Sequence, residues 1–324
     1  MKCILPVRLI QTLAIMQDSM PLQRTPLSRA DLAILSTNLL WGTYWIPLRQ
    51  MTAAGGGESA ATLWGYLVAG VLMIPVFSVR WRSIVAMPFV AFVGVIVLAV
   101  CLALYSESLN RGQVARVLLL FYLTPIWSMV FARFLLGEPI STVRGIAIVL
   151  GLAGAATILG LETGVPLPRD LAEWMGLVAG ILWGLAATLF NLSQRRAPDG
   201  TTEFQQMALL LAIVPVTIFL ATLIPGKATD AVAFPTPEGS VVYWAFAFAV
   251  FWVIPVIWLT LYGASRIDPA RVGIFLLLDV AVGAATASIL AGEPFGAPEG
   301  VGAVLIISAA FLEGWSHRGQ SSPA

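Results

Sequence analysis

The chain has 324 residues, of which 59% are hydrophobic and 11% charged; its mean hydropathy is +0.89 and its formal net charge +1. Soluble domains carry about 25% charged residues, so this chain has too little charge to cover a water-exposed surface and must place its apolar excess in lipid. The small net charge excludes the broad basic field of nucleic-acid-binding proteins. With one histidine and two distant cysteines, no metal cluster, disulfide framework or cofactor site is expected.

Residues 1–31 precede the first apolar span and are predicted to form a cytoplasmic tail. A basic residue followed by apolar residues resembles a signal peptide, but Arg8 and Gln11 interrupt the stretch and no small-residue cleavage site follows. Met16 and Met20 stand just before a polar segment. A mis-assigned start codon is therefore the alternative to a functional tail.

Ten segments have the roughly 20 mostly apolar residues that a membrane-spanning helix needs, and turn-forming clusters separate them. The polar loop ETGVPLPRD, residues 162–170, divides them into five and five. Residues 32–161 and 172–314 are therefore predicted as two five-helix units, with a cytoplasmic tail at 315–324. The predicted spans are residues 32–50, 59–79, 86–106, 113–136, 143–161, 172–192, 203–224, 240–263, 270–291 and 296–314.

The basic residues predict the orientation, because cytoplasmic loops carry more Lys and Arg than the loops on the other side. Ten spans with a cytoplasmic N-terminus place 13 of the 18 basic residues on or near the cytoplasmic side. Both termini are therefore predicted to be cytoplasmic. The five basic residues on the opposite side are Arg49, Arg111, Arg116, Arg169 and Lys227.

Two long segments of the chain match each other about 155 positions apart. Residues 115–139 read ARVLLLFYLTPIWSMVFARFLLGEP, and residues 270–294 read ARVGIFLLLDVAVGAATASILAGEP. Upstream, LLWG at 39–42 is matched by ILWG at 181–184. A repeated unit with an odd number of spans inserts in the opposite orientation the second time, as in many secondary transporters. The sequence therefore predicts an inverted repeat.

The repeated unit resembles the EamA unit, with an early Trp-Gly, a YxxxLN-type end of the third helix, Thr-Pro in the fourth and Gly-Glu at its end. Two such units, here over residues 32–314, resemble a ten-helix member of the drug/metabolite transporter superfamily. The resemblance implies an all-α bacterial inner-membrane exporter of amino acids or related metabolites, working by alternating access, with a cavity lined mainly by helices 1, 3, 4, 6, 8 and 9. The second copy departs from the pattern, since Asp279-Val280 replaces Thr124-Pro125.

Asp279 is the acid that the sequence places deepest in the membrane. It lies eight residues beyond Arg271 in the ninth span, about 12 Å along the helix axis. An unpaired charge near the hydrocarbon centre costs several kcal/mol, and intramembrane acids are usually functional. This favours a carboxylate that binds a cation or carries a coupling proton. The alternative is a structural aspartate that is neutral and hydrogen-bonded, or paired with an arginine.

Aromatic and amide side chains on several spans are further candidates for a central cavity. Asn38 and Trp41 share one face of the first span, and similar residues stand on the third, fourth, sixth and eighth spans. Aromatic faces bind cations and stack on planar groups. The alternative for each aromatic residue is helix packing or anchoring at the interface. The predicted substrate site comprises Asn38, Trp41, Tyr44, Tyr105, Tyr122, Trp183, Asn191, Trp258 and Asp279.

Arg116 and Arg271 occupy the same place in the two matching segments and are predicted on opposite sides of the membrane. One interpretation is that both snorkel to the interfaces. The other is a pair of gate charges, each meeting a nearby acid such as Glu107 or Asp268 when its side is closed. The candidates for gating or coupling are thus Glu107, Arg116, Arg271 and Asp279.

The sequence predicts a secondary transporter for a small amino-acid or amine-type solute. Its expected partners are that solute and the lipid bilayer, and no nucleic acid is expected. Proton coupling, import against export, and monomer against oligomer stay open. An enzyme is disfavoured because the spans hold no Ser/His or Cys/His pair, no paired aspartates and no glycine-rich phosphate loop. A membrane scaffold or sensor leaves the intramembrane acid unexplained, and a channel would need a ring of filter residues that the sequence does not show.

Overall fold

The computed structural model describes residues 28–54, 58–159, 167–200, 202–224, 239–292 and 295–316. Regular elements within these ranges are helical, with π-helical turns at Ala132–Leu136 and Ala249–Val253. The helices are α1 (Arg29–Gly42), α2 (Trp45–Ala53), α3 (Glu58–Val85), α4 (Phe89–Arg111), α5 (Val114–Phe121), α6 (Thr124–Phe131), α7 (Thr142–Leu159), α8 (Leu171–Arg196), α9 (Glu203–Thr222), α10 (Gly239–Phe248), α11 (Ile254–Ala264), α12 (Pro269–Leu276), α13 (Leu278–Ala291) and α14 (Ala297–Ser316). Most of the two predicted tails lies outside the described residues.

Eight helical stretches among the described residues are long and apolar enough to cross a membrane. They confirm a multi-pass, all-helical membrane protein. The predicted first and tenth spans are also helical, as α1 with α2 and as α14, but they are not among these eight stretches of the described residues. Ten spans and an inverted repeat therefore stay predictions. The eight stretches are Ala60–Val85, Phe89–Leu109, Arg116–Leu136, Thr142–Leu159, Leu171–Arg196, Glu203–Ala221, Gly239–Ala264 and Pro269–Ala291.

Side-chain caps fix where α1 and α8 begin. Ser28 accepts a hydrogen bond from the Asp31 backbone N–H at 3.1 Å, and its own N–H donates to Asp31 Oδ2 at 3.0 Å. At α8, Asp170 Oδ1 accepts from the Glu173 backbone N–H at 2.8 Å. These caps satisfy backbone donors that have no partner within the helix. They also hold an acid, Asp31 or Glu173, in the first turn of each helix.

Two membrane helices are broken, and the breaks fall at matching positions of the repeat. α5 ends before Tyr122 and α6 begins at Thr124, with Pro125 in its first turn. α12 and α13 meet at Leu277, which stands in the second segment where Tyr122 stands in the first. Each break leaves backbone groups without helical partners and gives a second helix N-terminus inside the bundle.

A row of glycines lets α8 pack closely against α5 and α6. A Cβ on Gly180 would lie 2.5 Å from the Phe121 carbonyl oxygen, and one on Gly184 would lie 2.8 Å from the Ser128 backbone nitrogen. On Gly176 a Cβ would meet the backbone one turn earlier in α5. Small residues four apart allow such backbone-to-backbone contact between membrane helices. The row therefore fixes the broken helix against α8 along its length.

The helices α7 and α14 form a second closely packed pair. Gly154 and Gly302 face each other so closely that a Cβ on either would lie 2.6 Å from the carbonyl oxygen of the other. At one end of this pair, Arg144 of α7 lies 3.2 Å from Glu313 of α14 and 3.2 Å from Asp268, the N-cap of α12. The pair thereby anchors the start of α12.

We expect Gly180→Ala to lower the free energy of unfolding by about 1–3 kcal/mol, because the added methyl group would overlap the backbone of Phe121. Gly145→Ala is the matched control: it also lies inside a membrane helix, and nothing lies within 4 Å of its added Cβ. There alanine is expected to be neutral or stabilising by up to about 1 kcal/mol. Thermal unfolding in detergent measures both, and equal melting temperatures would contradict the close packing of α8.

Candidate functional site

A cavity lies where the two helix breaks meet. The space between its walls that atoms do not occupy amounts to about 460 Å³, including the part that is open to solvent. Both halves of the chain contribute to its wall, which is apolar and aromatic apart from a few polar groups. The lining residues are Trp41, Cys101, Leu102, Tyr105, Phe121, Tyr122, Thr124, Trp183, Gly273, Leu276 and Asp279.

The polar centre of the cavity is the contact between Tyr122 and Asp279. The Tyr122 hydroxyl donates to Asp279 Oδ1 at 2.9 Å and so joins one helix break to the other. Asp279 is half-buried in the first turn of α13, where the helix N-terminus favours a carboxylate. Among the residues that the structure describes, Asp279 has no ion-pair partner. Its carboxylate is therefore available to a cation that enters the cavity.

Aromatic rings form the wall beside this carboxylate. Trp183 meets Trp41 edge-to-face at 6.2 Å between ring centroids, and it meets Phe121 in the same way at 6.1 Å. Phe121 in turn lies 4.5 Å from Tyr105. The faces of such rings carry partial negative charge and attract cations. The Trp41 Nε1 is buried and has no hydrogen-bond partner among the described residues, so it can donate to a bound solute.

Five of the predicted substrate-binding residues come together in this lining. They stand on α1, α4, α8, α13 and at the break after α5, so residues far apart in the sequence converge on one space. The convergence does not test whether they bind a substrate. These five residues are Trp41, Tyr105, Tyr122, Trp183 and Asp279.

The two predicted amide residues do not line the cavity. The Asn38 Nδ2 donates to the Ile34 carbonyl of its own helix at 3.1 Å. The Asn191 Nδ2 donates to the Ile267 carbonyl at 2.9 Å and so ties the end of α8 to the loop before α12. Both amides are buried and satisfy backbone carbonyls, which is a packing function.

Tyr44 and Trp258 also lie outside the lining. Tyr44 stacks on Trp41 at 4.9 Å and meets Phe248 edge-to-face at 4.7 Å, so it supports the indole of Trp41 from behind. Trp258 stacks on Tyr262 at 5.7 Å near the end of α11. Helical spacing shows on which face of a helix each ring lies. It does not separate a ring that packs between helices from a ring that faces a cavity, because both have the same spacing.

Several lining residues were not predicted from the sequence. Phe121 and Thr124 flank the first break, and the Thr124 hydroxyl donates to the Phe121 carbonyl at 2.6 Å. Gly273 lies where α12 crosses α6, and a Cβ there would be 2.9 Å from Pro125 Cα. In the sequence, the Thr124-Pro125 pair marks the break in the helix. The residues beside this pair could therefore have been predicted to line the cavity.

The arginine Arg116 has a different acid partner from the one expected. It forms two contacts with Glu173 at the start of α8, Nε to Oε1 at 2.5 Å and Nη2 to Oε2 at 2.9 Å. Glu107, the expected partner, instead accepts from Arg111 one turn along α4 at 2.5 Å. Side chains four residues apart on a helix lie next to each other, so Arg111 reaches Glu107 within α4. The Glu107 carboxylate therefore already has an arginine partner.

Arg271 likewise meets another acid than Asp268. Its Nη2 lies 3.1 Å from Asp31 Oδ1 at the start of α1. Asp268 instead caps α12 by accepting from the Ala270 backbone N–H at 2.8 Å, and it pairs with Arg144. Its place directly before the helix directs its carboxylate to the helix N-terminus.

Comparison with known proteins finds one family model that matches part of the chain, within its first half. The model of the EamA-like transporter family matches residues 28–160, which confirms the predicted resemblance. A solved structure described only as "Crystal structure of protein" is similar with a TM-score of 0.70 and 19% identity, and the match covers 90% of this chain and 99% of that chain. At that identity the likeness shows a shared fold alone. No curated protein matches the sequence.

We expect Tyr122→Phe to lower the free energy of unfolding by about 1–3 kcal/mol, because it removes the hydrogen bond between the two helix breaks. Tyr243→Phe is the control, since Tyr243 is 67% exposed on the outer surface of α10. Thermal unfolding of the two variants in the same detergent measures the difference. If Tyr122→Phe melts at the temperature of the control, the hydrogen bond does not hold the breaks together.

Proposed function

We propose that the chain is a secondary transporter and not an enzyme, because the model of the EamA-like transporter family matches its residues 28–160. It moves a small amino-acid or amine-type solute across the bacterial inner membrane by alternating access, and it works as an exporter. The two repeats, 32–161 and 172–314, move against each other around the cavity.

The observation that carries the proposal is the half-buried Asp279 carboxylate within an aromatic wall. A carboxylate at this depth is costly unless a partner compensates its charge. An ammonium group would supply the opposite charge and could lie against the faces of Trp41 and Trp183 at the same time. When it binds, it replaces the Tyr122 hydroxyl as the partner of Asp279. A proton on the same carboxylate is the alternative occupant, which would couple transport to a pH gradient.

The position of the cavity supports alternating access. Its lining comes from α1, α4 and the break between α5 and α6 in the first half, and from α8, α12 and α13 in the second. A solute held between two halves can be exposed to either side when one half tilts against the other. The Arg116–Glu173 ion pair lies between the cavity and one end of the bundle, which favours a carrier over an open channel.

The decisive variant is Asp279→Asn, which keeps the size of the side chain and removes its charge and its titratable proton. We expect transport to fall at least about tenfold, as the loss of a charge partner predicts, while insertion and melting temperature change little. Uptake of labelled amines and amino acids into proteoliposomes, with and without a pH gradient, measures the effect.

The matched control for this experiment is Asp199→Asn, because Asp199 lies in the exposed turn after α8. That variant is expected to transport at the rate of the unmodified protein. Full activity in Asp279→Asn would refute a function of this carboxylate in transport.

The predicted orientation has its own test. We expect tags at both termini to be accessible from the cytoplasm, and a tag in the 162–170 loop to be accessible only from the other side, because of the distribution of basic residues. Protease or thiol-labelling accessibility in intact cells measures this. A terminus that is accessible from the periplasm would contradict it.

A further inference from the structure

Two buried ion pairs join the halves of the chain at matching positions. Arg116 of α5 pairs with Glu173 of α8, and Arg271 of α12 pairs with Asp31 of α1. The arginines occupy the same place in the two matching segments. Asp31 and Glu173 each stand eight residues before the matching LLWG and ILWG sequences. The two pairs are therefore counterparts, although the acids lie far from the arginines in the sequence.

The two ion pairs lie at opposite ends of the bundle. Glu173 is in the first turn of α8, which continues without a break to Arg196. Near the end of the same helix, Asn191 bonds to Ile267, four residues before Arg271. The distance along α8 from Glu173 to Asn191 is about 27 Å. The cavity lies between them, since Trp183 stands midway along α8.

The two pairs are not equally complete. Glu173 receives two guanidinium contacts from Arg116, and its Oε2 also accepts from the Arg169 backbone N–H at 2.9 Å. By contrast, Arg271 approaches Asp31 with one nitrogen, at 3.1 Å. This contact with Asp31 Oδ1 is an ion pair without hydrogen-bond geometry, and the Nε of Arg271 has no hydrogen-bond partner among the described residues. A two-point arginine–carboxylate contact is the stronger and more directional one.

Helix packing explains the difference between the two ends. At the Arg116 end, α8 presents Gly176 and Gly180, and α5 lies directly against their backbone. At the Arg271 end, α1 carries Ile34 and Asn38 in the positions that match these two glycines. Larger side chains at these positions do not allow the backbone-to-backbone contact that the two glycines allow. The difference concerns the contact between α1 and α12; at the same end, Gly263 of α11 packs directly against Ile34 of α1.

Several buried polar atoms near the Arg271 end have no hydrogen-bond partner among the described residues. They are Asn191 Oδ1, Ser193 Oγ, Gln206 Oε1 and Thr260 Oγ1. Buried polar groups that lack a protein partner are normally satisfied by water, so we expect water beside these atoms.

We propose that Glu173 and Asp31 are the acids of two gates that close in alternation, and that the structure is closed at the Arg116–Glu173 end. In the alternate state the Arg271–Asp31 pair completes its contacts while the Arg116–Glu173 pair opens. Arg144, Asp268 and Glu313 also lie near the Arg271 end, but they join α12 to α7 and α14 and not to α1. The inference rests on the proposed transport function.

Cys101 provides a native reporter, because it lines the cavity and Cys3 is the other cysteine of the chain. Its thiol is buried and donates to the Ala179 carbonyl at 3.2 Å, so its labelling reports that the cavity has opened, and a failure to label from either face would also overturn the proposal. In a Cys3→Ser background, a membrane-impermeant trimethylammonium thiosulfonate is added to one face of right-side-out or inside-out vesicles. We expect Cys101 to react from the Arg271 face alone. Glu173→Gln is expected to raise the rate from the Arg116 face at least about fivefold, the lower end of coupling between linked sites.

The control for the labelling is Glu138→Gln, which removes the exposed ion pair between Glu138 and Arg195 and should leave both rates unchanged. Reaction of the Cys3→Ser protein from the Arg116 face, or from both faces equally, would overturn the proposal. So would an unchanged rate in Glu173→Gln. Labelling does not require transport, so a protein that fails to transport can still show the two gates.

Because Glu173→Gln leaves a buried arginine without its acid and can unfold the protein, a second test uses crosslinking. Arg116→Cys with Glu173→Cys, in a background without the native cysteines, is treated with a short bifunctional thiosulfonate. We expect transport to stop and a reductant to restore it. Crosslinking Asp31→Cys to Arg271→Cys should do the same from the other end. Transport at the untreated rate after either crosslink would refute that gate.

Discussion

The structure depends on where a membrane helix can be broken. A backbone group without a partner costs several kcal/mol in lipid, so a break is tolerated only inside the protein, against other polar groups. Here the breaks at Tyr122 and Leu277 lie together in the interior, and the Tyr122 hydroxyl bonds to Asp279 across them. This arrangement creates a cavity at mid-depth, because the helix ends and their side chains cannot fill the space as continuous helices do.

Charge in the bundle follows the same constraint. Arg116, Glu173 and Asp31 are almost fully buried, and each lies beside an opposite charge from the other half of the chain. Removing one partner of such a pair costs much more than the pair contributes, so these contacts form and break as units. An ion pair of this kind gives two distinct arrangements, which is the property that a gate requires. At the Arg116 end, the glycines of α8 also allow α5 to lie directly against its backbone.

The sequence predicted the cavity in part, for reasons that differ among residues. Asp279 could be identified because an acid in the middle of a membrane span needs a specific explanation, and Trp41 because it shares a helical face with Asn38 and Gly42. Asn38 and Asn191 had the same pattern but bond to backbone carbonyls instead. Periodicity gives the helix face, but it does not show whether that face meets a cavity or a neighbouring helix. The same limit applied to Tyr44 and Trp258.

The sequence by itself determined the membrane class and the repeated segments, because these follow from composition, length and spacing along one chain. The tertiary structure alone decided the partners of Arg116 and Arg271, since Glu173 and Asp31 lie in other spans and nearer acids were available in the sequence. It also decided that Tyr122 reaches Asp279. Which side chains meet depends on how helices from the two halves cross, and that crossing is set by packing between segments far apart in the chain.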